Sequence, residues 1–128
     1  YSRSVAVAND PAVVRLVAGL SYLLEYPYGC TEQRIALSSA ALALKPFTPI
    51  LQAGGLGNRL TDSVRSTAKL IGSSLDEDGL VAFWPRSRGT VSLTAWAYRF
   101  LVAAEKAGEP GDKVLADRLA KVLKQALR

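Results

Sequence analysis

The stretch from Asn9 to Pro46, NDPAVVRLVAGLSYLLEYPYGCTEQRIALSSAALALKP, decides the fold class. Asp10 is a good helix cap, and Pro11 suits the first helical position, where its missing N–H would have no intrahelical partner anyway. Val13, Leu16, Val17, Leu20 and Leu24 then recur at helical spacing. Pro27 ends that helix and pushes Tyr26 toward extended geometry, while Gly29 gives freedom for a sharp turn. A second helix is expected from near Thr31, with Leu37, Ala40, Ala41 and Leu44 on one face and Pro46 as its stop. Its many small residues let neighbouring helices approach closely.

The same reading extends outward. Thr48 to Gly57, with Pro49 and its glycines, reads as a loop, and a third helix is expected over roughly Asn58 to Leu75 with Leu60, Val64, Ala68, Ile71 and Leu75 inward. Asp76-Glu77-Asp78-Gly79 is a turn, Leu80 to Trp84 a short extended run ended by Pro85, and Arg86 to Gly89 a polar loop. Thr90 or Ser92 can cap a fourth helix carrying Leu93, Trp96, Ala97, Phe100, Leu101 and Ala104, closed by Gly108. A fifth helix runs from about Asp112 with Leu115, Leu119, Val122 and Leu123 on one side. Helices joined by short loops are expected to pack antiparallel.

The 128 residues suffice for one domain and one core. A content of 49% apolar and 21% charged residues is ordinary for a globular chain. Apolar runs fall short of the roughly 20 residues that cross a bilayer, so no membrane insertion by this segment is expected. Lysines and arginines outnumber acids to give +5, but they are scattered, which reads as a solvated surface and not a nucleic-acid footprint. With no methionine the chain reads as a processed product or excised fragment. Histidine is absent, which excludes a Ser-His-Asp triad, a Cys-His dyad and a histidine metal site within this stretch. The one cysteine, Cys30, has no partner for an internal disulfide.

The chemistry lies in Tyr26-Pro27-Tyr28-Gly29-Cys30-Thr31-Glu32-Gln33. Cys30 falls at a helix mouth, where free N–H groups and the dipole favour a thiolate. Gln33, three residues on, shares its face. A thiolate beside a carboxamide can attack it and expel ammonia, leaving an internal thioester. A later amine would take the Gln33 acyl group and free the Cys30 thiol. On spacing alone, an incidental C-x-x-Q is the plainer reading. Tyr26 and Tyr28 either shield such a bond from water or merely pack the helix junction. Glu32 points away from the Gln33 face and helps the helix start. Trp84 and Trp96 read as core, the acids at 76–78 as a solvated turn, and Arg86 and Arg88 as a plain surface loop.

Pro27-Tyr28-Gly29-Cys30 followed by Glu32-Gln33 resembles the P-Y-G-C-x-E-Q thioester motif of the alpha-2-macroglobulin and complement family; Thr31 stands where animal members usually have glycine and favours the bacterial branch. Asp78-Gly79…Trp84 and Leu93-Thr94-Ala95-Trp96 resemble further segments of bacterial members, in the same order. The resemblance implies an all-α chain. Residues 1–128 would form a single domain, the N-terminal portion of an α/α toroid of helical hairpins, with the thioester at the start of an inner helix. It implies a single-use covalent endopeptidase inhibitor and not an enzyme. Its partners would be target proteases, captured through their amines, and the remaining macroglobulin domains of the parent. Cys30 and Gln33 would form the cross-link, supported by Pro27, Tyr28, Gly29, Glu32 and Tyr26. No cofactor or metal is implied. The location would be the bacterial periplasm, often with a lipid tether on the parent and a role in evading host defence. Two rivals differ in class. One is a toroid enzyme of the terpenoid-cyclase type, which needs an acidic cluster or metal site that the sequence does not display. The other is a helical interaction module whose cysteine is incidental.

Overall fold

The computed structural model describes residues 9–26, 29–47, 49, 52 and 55–128. The chain is all-α: five α-helices among the described residues, one short 3-10 helix, and no strand beyond two isolated bridges. Helix α1 is Pro11–Glu25, capped by the Asp10 carboxylate, which accepts the N–H of Ala12 at 2.9 Å. It ends with Tyr26 in extended backbone, as a residue before proline should. Its hold on the rest is light. Leu20 is buried and Val17 and Leu24 are partly so, but Leu16, which shares their helical spacing, is half exposed.

Helix α2, Thr31–Ala43, packs against α1, against α3 (Gly57–Ser73) and against α4 (Val91–Lys106). Its buried face is Thr31, Ile35, Ser38, Ala41 and Leu42. That corrects the expected face: Leu37 and Leu44 are only half-buried and Ala40 is exposed. The rotation has a polar cause. Ser38 Oγ lies 2.8 Å from both Ser63 Oγ and Thr67 Oγ1 of α3, so three hydroxyls satisfy one another in the core and a serine can face inward. A 3-10 turn, Lys45–Phe47, holds Pro46, where the helix was expected to stop. Of the loop expected from Thr48 to Gly57, residues 48, 50, 51, 53 and 54 lie outside the described residues. Pro49 and Gln52 have helical backbone, and Gly57 already belongs to α3. Leu60, Val64, Ala68 and Ile71 of α3 are buried as their spacing predicts.

Residues 74–90 form a clasp between α3 and α4. The Asp76 carboxylate holds it closed, accepting N–H groups from Gly89 at 2.7 Å, Leu80 at 2.9 Å and Asp78 at 3.0 Å. Bridges pair Leu75 with Val81 and Ala82 with Gly89. Val81 N–H also donates to Thr94 Oγ1 at 2.9 Å, tying the clasp to α4. The acidic turn is therefore a structural anchor at Asp76, although Glu77 and Asp78 are exposed. Val81 and Ala82 are buried, but Trp84 is 57% exposed and Trp96 is 37% exposed, so neither tryptophan is the core residue expected. Trp84 lies beyond the last bridge, on the outer bend, and Trp96 sits at the border of the stripe formed by Leu93, Ala97, Phe100, Leu101 and Ala104.

The N–H of Gly89, then those of Leu80 and Asp78, hold the Asp76 carboxyl below its ordinary range, against an opposing push from burial. A depressed native pKa means the carboxylate stabilises the fold above the ordinary carboxylate range, and that contribution fades as pH falls through the depressed value. Thermal unfolding followed from neutral to acid pH is therefore expected to show a loss of stability in the native chain that is smaller in Asp76→Asn. Parallel curves would refute the anchoring role.

Thr90 caps α4, whose Oγ1 accepts the Leu93 N–H at 3.2 Å. The helix closes at Gly108, φ 71°, with Gly108 N–H on Glu105 O and Glu109 N–H on Ala104 O, the paired bonds of a Schellman stop. Glu109 then joins three helix ends, pairing with Lys45 at 3.0 Å and accepting from Thr61 Oγ1 at 2.9 Å. Helix α5, Lys113–Ala126, begins at its Asp112 cap and packs on α4 through Leu115, Ala116 and Leu119. Its Val122 and Leu123, expected on the same side, are half-buried.

Candidate functional site at the mouth of the second helix

Cys30 is the N-cap of α2, in extended backbone at φ −69°, ψ 169°, and Gln33 is the third helical residue. That register brings each side chain onto the other residue's backbone N–H. Gln33 folds back so that its Oε1 accepts the Cys30 N–H at 3.0 Å, and the Cys30 side chain faces the Gln33 N–H in the reciprocal half of a capping box. Sulfur is a weak acceptor, so the glutamine half carries this box. Cys30 is half-buried and Gln33 exposed, which leaves the carboxamide accessible. Sequence reasoning paired the residues by helical face; a second signal was present, because C-x-x-Q mimics the S/T-x-x-E/Q cap.

The supporting residues divide. Pro27 and Tyr28 lie outside the described residues. Gly29 is not in the left-handed region, so the expected need for turn freedom is corrected. A Cβ there would lie 3.4 Å from Gln33 Oε1 and 3.6 Å from Arg34 Cδ, ordinary contact distances that leave room for a methyl group. Glu32 is in the first turn of α2, near the positive helix end. Tyr26 is exposed on the rim of a groove of about 460 Å³, shared with Tyr22, Leu23, Gln33, Arg34 and Leu37. The groove is mostly apolar and runs between α1 and α2 beside the carboxamide.

The residue that sequence reasoning missed is Thr31. It is 1% exposed, its N–H donates to Phe83 O at 2.9 Å, and its hydroxyl lies 3.1 Å from the same oxygen and 3.3 Å from Ser74 Oγ. The first free N–H of α2 is thus taken by the clasp, and the helix mouth is fixed against α3. Because Val81 in turn binds Thr94, the three segments singled out in the sequence, around Cys30, Gly79–Trp84 and Thr94, are joined by hydrogen bonds. Nothing short of the fold signals this, since a threonine in a helix's first turn is commonplace.

Among the described residues, no group of His, Cys, Asp and Glu side chains could hold a metal ion, and no helix is long and apolar enough to cross a membrane. No family model, no curated protein and no solved structure matches the chain. Fold and site define an all-α protein with a cysteine-glutamine pair closed by a capping hydrogen bond at a helix N-terminus. The chemistry open to such a pair is acyl transfer through the Gln33 carbonyl carbon.

Proposed function

We propose that this chain is the thioester-bearing part of a protease trap of the alpha-2-macroglobulin and complement kind. The observation that carries the reading is the Gln33 carboxamide folded back onto Cys30, 3.0 Å from Oε1 to the cysteine nitrogen, inside a P-Y-G-C-x-E-Q string. The Cys30 sulfur adds to the Gln33 carbonyl carbon, the carbon–nitrogen bond breaks, and the thiol proton leaves with ammonia. The resulting thioester waits at an accessible helix mouth. A lysine amine of a captured protease then adds to the same carbon, forms an amide and returns a proton to the sulfur. Each site reacts once, so the activity is covalent inhibition without turnover. An all-α chain whose second helix packs on three others supports the α/α toroid that this family implies, with α2 as an inner helix. By the same resemblance the parent acts in the bacterial periplasm, its partners being proteases and its own further domains.

Intact mass tests the reading. The untreated chain is expected to weigh about 17 Da less than its sequence demands, the mass of one ammonia. Methylamine should add at Gln33 and release one titratable thiol. A chain of full sequence mass whose thiol is free from the outset, and which takes up no methylamine, would sink the proposal.

A further inference from the structure

We infer that the backbone N–H of Cys30 is the oxyanion donor for the acyl chemistry of its own side chain, an inference that rests on the thioester reading above. That N–H points at Gln33 Oε1 from 3.0 Å. Of the carboxamide's atoms only the carbonyl carbon and this oxygen survive condensation, since the nitrogen leaves as ammonia. When the Cys30 sulfur adds, the S–C bond forms and the carbonyl electron pair moves onto Oε1. Collapse restores the C=O bond and expels ammonia, which carries the thiol proton. When an amine later adds, charge gathers on Oε1 again before the C–S bond breaks and the amine's proton passes to sulfur. Both steps place negative charge on one oxygen, and one donor serves both.

At 3.0 Å the N–H already binds the oxygen that becomes the oxyanion, and donors about 2.7–3.1 Å from that charge are the effective ones. The alternative donor next along the chain is excluded, because the N–H of Thr31 is committed to Phe83 O at 2.9 Å. That same bond fixes the helix mouth and therefore the direction of the Cys30 N–H. A capping box thus supplies, for ordinary helix-starting reasons, a hydrogen bond aimed where charge develops.

The test replaces the Cys30 amide with an ester by incorporating the α-hydroxy analogue of cysteine at position 30 of the whole chain. The thiol and Gln33 remain and only the N–H is lost. An ester at Glu32, which leaves the Cys30 N–H in place, is the control. After transfer from urea to buffer, ammonia loss followed by intact mass, and methylamine uptake, should each slow about 100-fold for the Cys30 ester and only slightly for the control. Equal rates for the Cys30 ester and the native chain overturn the donor assignment alone. A native chain that neither loses ammonia nor takes up methylamine overturns the thioester reading and this assignment with it. Should the ester chain fail to fold, the native thioester labelled with 13C at the Gln33 carbonyl gives an independent reading. Its C=O stretch should lie lower in the folded chain than in urea, and an unchanged frequency refutes the hydrogen bond.

Discussion

Gly89→Ala is expected to destabilise the chain by about 3 kcal/mol, because the added methyl has nowhere to go. A Cβ at Gly89 would lie 2.4 Å from the Leu80 carbonyl oxygen, 2.5 Å from its carbonyl carbon and 2.5 Å from Leu80 Cβ. Two of those atoms are backbone, so relief requires the bridged segments of the clasp to separate. Separation breaks the Gly89–Asp76 bond of 2.7 Å and the bridge to Ala82, which then frees Phe83 from its place against Thr31. Domains of this size are stable by about 5–15 kcal/mol, so the change should move a urea midpoint visibly. Gly29→Ala is the contrasting substitution, since its nearest contact of 3.4 Å, to the Gln33 side chain, is an ordinary van der Waals distance. Equal midpoints for the two variants would show that the clasp does not close as described.

Cys30→Ser and Gln33→Glu are each expected to abolish covalent adducts completely while the chain stays folded. The two changes are chosen so that chemistry and folding separate. Serine is a better helix cap than cysteine, and its hydroxyl should strengthen the contact with the Gln33 N–H. Glutamate at the third helical position completes the usual capping box and still accepts the Cys30 N–H. Neither variant loses the start of α2. Both lose the reaction: a serine hydroxyl does not condense with an unactivated carboxamide, and a carboxylate does not acylate a thiol. Methylamine mass shifts and protease-linked bands on denaturing gels read the outcome. Adducts persisting in Cys30→Ser would remove the thioester from the account. Protease binding that survives in that variant without covalent bonds would favour the helical interaction module.

Much of the architecture was legible because its causes are local. Asp10 and Pro11 start α1, Asp112 starts α5, and Gly108 stops α4 in left-handed backbone that other residues avoid. The stripes of α3 and α4 were legible through apolar periodicity, with Trp96 misplaced at an edge. The Cys30–Gln33 pairing was legible for the same reason, since one turn of helix suffices to bring the two together. The inward face of α2 was not, because hydrophobic spacing assigns serine outward and Ser38 is buried only in the company of Ser63 and Thr67. Trp84 was misread as core because aromatic bulk usually marks an interior.

Element types, their caps and stops, and the register that sets Cys30 and Gln33 one turn apart follow from the order of residues alone, because each depends on groups within about four positions along one helix. The rotation of α2, the glycine demanded at position 89 and the anchoring of Thr31 arise from contacts between segments distant in the chain. A hydroxyl in the core needs another hydroxyl, a carboxylate needs N–H groups from across a turn, and a helix mouth needs a carbonyl from elsewhere. Those partners exist only once the chain has folded.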